Sequence, residues 1–236
     1  MLESVDVVRR YNGLTAVDHV SLRLEPGHIY AMLGPNGSGK TTWMKMAADL
    51  VIPDAGEMRW QGKPVSRRSR LQVAYMPTEA YFYHGMTIRQ AGLYYRDFFR
   101  DYDLQKLMAL LKKMHLDRRM RVNELSSGMM AKLKVAIILC RRAGAYLMDE
   151  PFNGIDLISR DEIAEAIAET FTPQTVMVLS SHLVEELEGL ADTAVFMREG
   201  KLVGVQDIAQ LRQETGLSLS DVYRRVYGEE RWDLRC

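Results

Sequence analysis

Short apolar runs separated by turn-forming residues dominate the first part of the chain. Residues 2–24 alternate apolar and polar positions around the turn-prone Asn12-Gly13 pair, a pattern that predicts short antiparallel strands. A continuous apolar run at 28–33 predicts a buried strand, and a glycine-rich loop follows at 34–39. We expect a helix over residues 41–50, because Pro53 prevents it from continuing much further.

The middle of the chain changes from strand-like to helical periodicity. Residues 58–76 predict further strands around a basic loop, with Arg67, Arg68 and Arg70 expected at a solvated hairpin tip. Between about 87 and 142, apolar residues recur every three or four positions, as on one face of a helix. The clearest set is Leu104, Leu107, Met108, Leu111 and Met114.

Strands and helices alternate in the last part of the chain. Buried strands are predicted at 145–148 and 176–179, with a helix between them at 160–170. A final strand pair is predicted at 194–197 and 201–205. Strands that alternate with helices indicate a parallel sheet, so the sequence predicts an α/β fold with an inserted all-helical segment.

Composition narrows the class of protein. The chain has 236 residues, with 31 Lys+Arg against 31 Asp+Glu and 47% hydrophobic residues, as in ordinary globular proteins. Zero net charge gives no support to a nucleic-acid binder, which is usually basic. Two cysteines, Cys140 and Cys236, suit a reducing compartment. The charged, alternating start predicts no secretory signal, and no run approaches the roughly 18 apolar residues of a membrane span.

Residues 34–41 contain the complete phosphate-loop pattern of Gly, four residues, Gly, Lys and Thr. Glycines let successive backbone N–H groups turn toward an anion, and the helix that follows adds its positive N-terminal end. We expect Lys40 to reach the β- and γ-phosphates of a nucleotide. The Thr41 hydroxyl is the expected Mg²⁺ ligand.

An acidic pair follows the strand predicted at 145–148. Asp149 would hold Mg²⁺ through water, and Glu150 could accept a proton from the attacking water. A general base of this kind is typically worth about 10²–10⁴ in rate. Alone, an Asp-Glu pair after a strand is an ordinary exposed turn. In a chain that also has a phosphate loop, it favours the second half of a nucleotide site.

Further motifs make the chain resemble the ATP-binding-cassette (ABC) family. Residues 125–129, Leu-Ser-Ser-Gly-Met, resemble the family's Leu-Ser-Gly-Gly-Gln signature. Residues 153–156 resemble the loop after the catalytic carboxylate, and residues 180–182, Ser-Ser-His, resemble the family's switch histidine. Tyr11 stands where the family has an aromatic ring against adenine, and the resemblance extends to about Asp207.

The resemblance implies a fold and a set of nucleotide contacts. It implies that residues 1–236 form one ABC nucleotide-binding domain: a P-loop NTPase core, an N-terminal antiparallel β-subdomain and a helical subdomain at about 84–142. Tyr11 would stack on the adenine. The residues implied to wrap the phosphates are Gly34, Pro35, Asn36, Gly37, Ser38, Gly39, Lys40, Thr41 and Thr42. From the residues alone, Tyr11 could equally be an aromatic side chain that packs on the sheet.

The resemblance also implies the catalytic groups and a dimer. Glu150, His182 and Lys40 would be catalytic, with His182 bonded to the γ-phosphate and orienting water near Glu150. The signature residues would contact an ATP held by a second subunit, so that two ATP molecules are sandwiched in a head-to-tail dimer. These residues are Ser126, Ser127 and Gly128, with Asp156 at the dimer seam. Two identical chains are the simpler form of that dimer.

Two departures from the family pattern affect these expectations. The family has Gln after a strand that ends in Tyr-x-Pro, and Thr78 occupies that position here. Thr78 is therefore the third candidate Mg²⁺ ligand, after Thr41 and Asp149, but its side chain is shorter than Gln by an amide. In the signature, Ser127 and Met129 replace Gly and Gln. Such signatures resemble those of exporter-type ABC ATPases whose membrane subunit is a separate chain.

An exporter ATPase implies a separate permease, and the resemblance places its docking site near residues 78–100. That would hold this chain at the cytoplasmic side of the membrane, with Tyr83 and His84 at the interface. Aromatic residues are concentrated in this region, a type enriched in interface cores. The helical set is Tyr94, Tyr95, Phe98 and Phe99. This face could equally pack on the core of the helical subdomain.

Other classes of protein share some of these motifs. A soluble ABC-type ATPase that drives assembly, as in iron–sulfur cluster scaffolds, has the same motifs without a membrane partner. Ribosome-directed or DNA-repair ABC proteins are disfavoured, since they have two cassettes or long coiled coils. A plain phosphate-loop kinase is disfavoured because it gives no role to residues 125–129 and 182.

Overall fold

The computed structural model describes residues 1–228, so Cys236 lies outside the described residues. The strands are β1 (Leu2–Tyr11), β2 (Leu14–Leu24), β3 (His28–Leu33), β4 (Ala55–Trp60), β5 (Lys63–Pro64), β6 (Val73–Met76), β7 (Ala145–Asp149), β8 (Val176–Ser181), β9 (Thr193–Arg198) and β10 (Lys201–Asp207). The helices are α1 (Lys40–Ala47), α2 (Ile88–Phe98), α3 (Leu104–Lys113), α4 (Ser127–Leu139), α5 (Leu157–Thr170), α6 (Ile208–Thr215) and α7 (Leu219–Tyr227).

An antiparallel sheet forms the N-terminal part of the structure, with strand order β2-β1-β4-β5. Tyr11 pairs with Leu14, so Asn12 and Gly13 form a two-residue turn. Both turn residues have positive φ, 46° and 84°, as such a hairpin requires. The predicted antiparallel N-terminal strands are confirmed.

A second sheet of six strands has the order β10-β9-β3-β8-β7-β6. Its strands are parallel except for β10, which runs antiparallel to β9. Parallel strands end at the same sheet edge, so the residues that follow β3, β7 and β8 meet there. This edge brings together the phosphate loop, the acidic pair and His182. The predicted α/β fold class is confirmed.

Helix α1 packs between the two sheets. Trp43, Met44 and Met46 are fully buried in the core that the sheets share, and the Trp43 Nε1–H donates to Ser4 Oγ (3.1 Å). The helix ends at Ala47, three residues before the predicted end. Asp49 takes a positive φ of 56°, and the backbone N–H groups of the next two residues both turn back to the carbonyl of Lys45.

Helices α2, α3 and α4 form the inserted helical segment. Its first two helices begin at side-chain caps: Thr87 accepts from the Gln90 N–H, and Asp103 accepts from the Lys106 N–H. The predicted apolar face of α3 is confirmed, because Leu107, Leu111 and Met114 are buried in the core while the other members pack against it. Within residues 1–228, no helix combines the length and apolarity needed to cross a membrane.

The predicted hairpin at the basic loop is wrong. β5 belongs to the antiparallel sheet and β6 to the other, so the segment between them crosses from one sheet to the other. Arg67 and Arg68 are exposed, as expected. Arg70 is exposed as well, and it donates to the Oδ2 atom (2.8 Å) and the carbonyl (2.6 Å) of Asp49, which ties the crossing to the end of α1.

Candidate active site

The carboxyl edge of the six-stranded sheet opens into a cleft of about 340 Å³. The phosphate loop, the start of α1 and residues after β6, β7 and β8 all contribute to its walls. The predicted residues that line it are Asn36, Gly37, Ser38, Gly39, Lys40, Thr41, Thr42, Thr78, Glu150 and His182. Leu14, Ala16 and Asn153 complete the lining. Leu14 and Ala16 both belong to β2, and the sequence predicts neither of them as a site residue.

The phosphate loop needs glycine at two positions for reasons visible in the structure. Gly34 has φ of 155°, and a Cβ there would lie 2.3 Å from the Met197 carbonyl oxygen. Gly39 has φ of 104°, and a Cβ there would lie 2.5 Å from the Ala16 carbonyl oxygen. Any side chain would therefore push the loop off the neighbouring strands, and α1 could not begin at its present position.

Lys40 lies folded over the loop from which it projects. Its Nζ donates to the carbonyls of Gly34 (2.6 Å) and Pro35 (3.1 Å), and the residue is 5% exposed. Burial lowers the pKa of Lys40, while the nearby charges of Glu150 and Asp149 act in the opposite direction. An ammonium group has three donors, so these two bonds leave a third for an anion.

Asp149 is held by hydroxyl groups on both sides. Thr41 Oγ1 donates to its Oδ2 (2.7 Å), and Ser180 Oγ donates to its Oδ1 (2.6 Å). The carboxylate is almost fully buried, at 1% exposure. Oxygen donors of this kind are the ligands that Mg²⁺ prefers.

The side chains beside the phosphate loop fit Mg²⁺ bound partly by phosphates better than they fit a metal ion whose ligands all come from the protein. The described residues contain no group of three or more His, Cys, Asp or Glu side chains able to hold a metal ion. Mg²⁺ is commonly bound by one or two protein oxygens together with substrate phosphates. The Thr41 hydroxyl and the Asp149 carboxylate, which are hydrogen-bonded to each other beside the phosphate loop, match that donor set.

Glu150 and His182 form a pair at the mouth of the cleft. His182 Nδ1 lies 2.9 Å from Glu150 Oε2, and the Glu150 side chain is 11% exposed. Glu150 has a positive φ of 51°, a conformation that costs a non-glycine residue about 1–3 kcal/mol. Its backbone N–H donates to Ser180 Oγ (2.9 Å). The strained backbone is thus held in place, and it turns the carboxylate toward the histidine.

Ser180 is a site residue that the sequence patterns noted only as part of a motif. It pairs with Asp149 in the register of β7 and β8, and its hydroxyl contacts both members of the acidic pair. The neighbouring Ser181 differs, because its hydroxyl donates to Glu186 (2.7 Å) and accepts from the Leu183 N–H. Only a knowledge of which strands pair could have distinguished the two serines.

Thr78 lies beside Asp149 but contacts its main chain. Its Oγ1 donates to the Asp149 carbonyl oxygen at 3.4 Å, while the side chain also borders the cleft. Tyr11 stands at the end of β1, 40% exposed, with the Arg9 guanidinium 4.7 Å from its ring centroid. Tyr11 is not among the residues that line the cleft.

The signature residues and Asp156 lie together where helices α4 and α5 begin. Ser126 caps α4 by accepting from the Met129 N–H (3.3 Å), and Ser127 Oγ donates to the Gly154 carbonyl (3.1 Å). Asp156 accepts from the N–H and the hydroxyl of Ser159, bonds that lower its pKa and start α5 three residues before the predicted position. A Cβ on Gly128 would lie 3.5 Å from the Asp156 Oδ2 atom.

A phosphate loop between a parallel strand and a helix, next to a strand that ends in an aspartate, defines a P-loop nucleotide-binding protein. Residues 17–153 match the family model described as ABC transporter, and the chain belongs to that family. The chain is accordingly an ATP-binding protein and an ATPase with the ABC fold.

Two solved structures and one relative illustrate the similarity. The Nod factor export ATP-binding protein I of Paraburkholderia xenovorans (strain LB400) is 30% identical over 231 residues, which cover 94% of this chain and 76% of that protein. An ATP-binding subunit of an ABC transporter superposes with a TM-score of 0.86 at 24% identity, covering 96% and 99% of the two chains. The dimeric bacterial ABC transporter cassette MJ0796 gives a TM-score of 0.78 at 17% identity, covering 88% and 98%.

Proposed function

We propose that this chain is the ATP-hydrolysing subunit of an ABC exporter, which dimerises around two ATP molecules and drives a separate permease. The observation that supports hydrolysis most strongly is the Glu150–His182 pair at the edge where Asp149 and the phosphate loop meet. Export is supported by the relative whose name describes Nod factor export. We further propose that residues 1–236 form one nucleotide-binding domain, with its helical subdomain at about 84–142.

Each side chain at the cleft has a separate role in the proposed hydrolysis. Lys40 neutralises phosphate charge, and Thr41 and Asp149 would hold Mg²⁺, which would offset negative charge on the phosphates. Glu150 accepts the proton of the attacking water. His182, bonded to Glu150, keeps that carboxylate oriented and meets the γ-phosphate. Thr78 is the third ligand that we propose for the metal, although its hydroxyl bonds the Asp149 carbonyl in this arrangement.

Tyr11 and the signature residues are proposed nucleotide contacts that do not line the cleft. Tyr11 is 40% exposed next to the turn that leads to Leu14, and we propose that the ring face not covered by Arg9 stacks on an adenine. Ser126, Ser127 and Gly128 are not among the residues that line this chain's own phosphate cleft, so we propose that they contact an ATP bound by a second copy. A hydroxyl and an N–H at a helix start suit a phosphate.

The proposed dimer surface has an apolar pair beside the signature. Leu157 and Ile158 follow Asp156 directly and are 68% and 73% exposed. Burial of such side chains against a second copy would remove apolar area from water. The dimeric assembly of MJ0796, a cassette of the same fold, supports this arrangement. We propose a dimer of identical chains, because each chain supplies every proposed catalytic group.

The proposed permease contact lies within residues 78–100. Tyr83 and Phe98 are 61% and 64% exposed, and Tyr94 lies between them with ring centroids 5.6 and 4.7 Å away. Tyr95 and Phe99 instead pack on the core. The aromatic side chains in and just after helix α2 therefore form an inward row, Tyr95 and Phe99, and an outward row, Tyr94 and Phe98. The outward row, with exposed His84 beside it, suits a cytoplasmic segment of a membrane protein. We therefore propose that the chain acts at the cytoplasmic side of the membrane and has no nucleic-acid partner.

Copurification from the native membrane tests the proposal. The wild-type chain should bring down a multi-span membrane protein, and Tyr83→Ala should lose most of it while its own ATP binding is kept. Leu71→Ala, an apolar surface residue at 57% exposure outside this region, is the matched control. Unchanged recovery with Tyr83→Ala would show that the interface lies elsewhere. Recovery of a soluble scaffold alone would favour the assembly ATPase.

A further inference from the structure

A buried lysine links helix α4 to the loop that carries Thr78. Lys134 is 6% exposed in α4 and directly precedes an apolar run at residues 135–139. Its Nζ donates to the Pro77 carbonyl (2.9 Å) and to the Thr78 carbonyl (2.5 Å). The charged group therefore makes its bonds to the backbone of a loop outside any helix or strand. A buried ammonium is expensive unless such partners are present.

The loop held by Lys134 borders the reacting groups. Thr78 Oγ1 contacts the Asp149 carbonyl, and a cavity of about 180 Å³ separates Lys134 from Glu150 and Ser127. The bonds from Lys134 thus fix the position of this loop relative to α4. The N-terminal end of the same helix carries the signature residues. One helix therefore connects the loop at this chain's own ATP site with the surface proposed to meet the second ATP.

A neighbouring lysine shows that burial alone does not create this connection. Lys132 is also in α4 and 9% exposed, but its Nζ pairs with Glu162 of α5 (2.6 Å). Its bond joins two helices and does not reach the nucleotide cleft. Both lysines are buried in the same helix, but Lys132 binds a neighbouring helix and Lys134 binds the loop at residues 77–78.

We propose that Lys134 is a positioning residue for ATP hydrolysis, which fixes the backbone of residues 77–78 so that Thr78 stays against Asp149. The loop and α4 then move as one body. This inference rests on the proposed ATP hydrolysis, and it gives a physical reason why the short Thr78 side chain can stand where the family has Gln. Lys134 acts through the loop and does not touch substrate.

Steady-state kinetics of three variants test the proposal. Lys134→Met, which keeps the length and helix propensity of lysine but removes the donors, should lower kcat about tenfold or more with the KM for ATP changed by less than about twofold. Lys134→Arg should recover most of kcat, because it still donates to both carbonyls. Lys132→Met is the matched control and should keep the wild-type kcat. A wild-type kcat in Lys134→Met, or an equal loss in Lys132→Met, overturns the proposal.

Two further measurements separate positioning from general destabilisation. Thr78→Ala combined with Lys134→Met should be no slower than the slower single variant, since both act through one loop, and multiplied losses would contradict this. Without nucleotide, amide hydrogen exchange at residues 78 and 79 should be faster in Lys134→Met than in the wild-type chain, and unchanged in Lys132→Met. Unchanged exchange in Lys134→Met also overturns the proposal. An inactive wild-type chain would refute the proposed function, and the exchange experiment would still test the Lys134 contact.

Discussion

The Nδ1 atom of His182 lies 2.9 Å from the Oε2 atom of Glu150, across the carboxyl ends of two parallel strands. The histidine follows β8 and the glutamate follows β7, so sheet pairing brings together two residues far apart in sequence. Each side chain limits the rotation of the other. A carboxylate oriented in this way can accept a proton from a water molecule next to a bound phosphate.

Glu150→Gln should preserve ATP binding and lower hydrolysis by about 10²–10⁴-fold. The amide keeps the shape of the side chain but cannot accept the proton from water. ATP should then accumulate in the bound form and stabilise a dimer, which size-exclusion chromatography with MgATP would detect. Turnover near the wild-type rate would show that another group is the base. Glu57→Gln is a suitable control, because Glu57 is a partly buried glutamate of β4 that pairs with Arg59 and does not line the cleft.

Ser180→Ala should lower kcat by about tenfold or more, a loss comparable to the removal of one hydrogen bond to a charged group. The substitution removes the donor to Asp149 Oδ1 and the acceptor for the Glu150 N–H at once. Because Asp149 is a proposed metal ligand, the Mg²⁺ concentration needed for half-maximal rate should rise as well. A titration of hydrolysis with Mg²⁺ measures both effects.

Ser69→Ala is the matched control for that experiment. Ser69 is also a buried serine, but its hydroxyl bonds the Ser66 carbonyl in the segment between β5 and β6. Its loss should leave kcat and the Mg²⁺ requirement unchanged. An equal effect of the two substitutions would mean that the Ser180 result reflects stability only.

The phosphate loop and the acidic pair could be predicted because each is a local pattern. Gly34 to Thr41 is contiguous, and the position of Asp149 follows from one apolar strand and its end. The role of Ser180 could not be predicted, since it depends on the pairing of β7 with β8 and on which of two serines faces the carboxylate. Lys134 is a similar case, because only the packing of α4 against the loop identifies its partners.

The incorrect fold details also have non-local causes. The local pattern predicts that the basic loop joins paired strands, but the strands on its two sides belong to different sheets, which no local pattern distinguishes. Helix α1 stops at Ala47 because Asp49 turns and bonds Arg70, a residue from that same crossing. The α/β class was predictable from alternation alone, whereas the connections between sheets needed the tertiary structure.

Ile158→Asp should prevent the ATP-dependent dimer in the Glu150→Gln background. A charge would replace an apolar side chain that is 73% exposed in the single chain, next to Asp156, and the proposed dimer would bury it. Ile52→Asp is the control, since Ile52 is 77% exposed at a different surface. Size-exclusion chromatography should show monomers only for Ile158→Asp. Dimers that persist in that variant would place the seam elsewhere.

Tyr227→Phe should lower the free energy of unfolding by about 1–3 kcal/mol, the effect of leaving buried carbonyls without a donor. The Tyr227 hydroxyl donates to the Met197 carbonyl (2.9 Å) and approaches the Leu33 carbonyl (3.1 Å), next to the first glycine of the phosphate loop. The substitution keeps the ring and therefore its packing against Phe196. Urea denaturation should show a lower midpoint with an unchanged slope. Tyr83→Phe, at a 61% exposed position, should shift stability by less than about 0.5 kcal/mol, and an equal shift in both variants would contradict a special role for the Tyr227 hydroxyl.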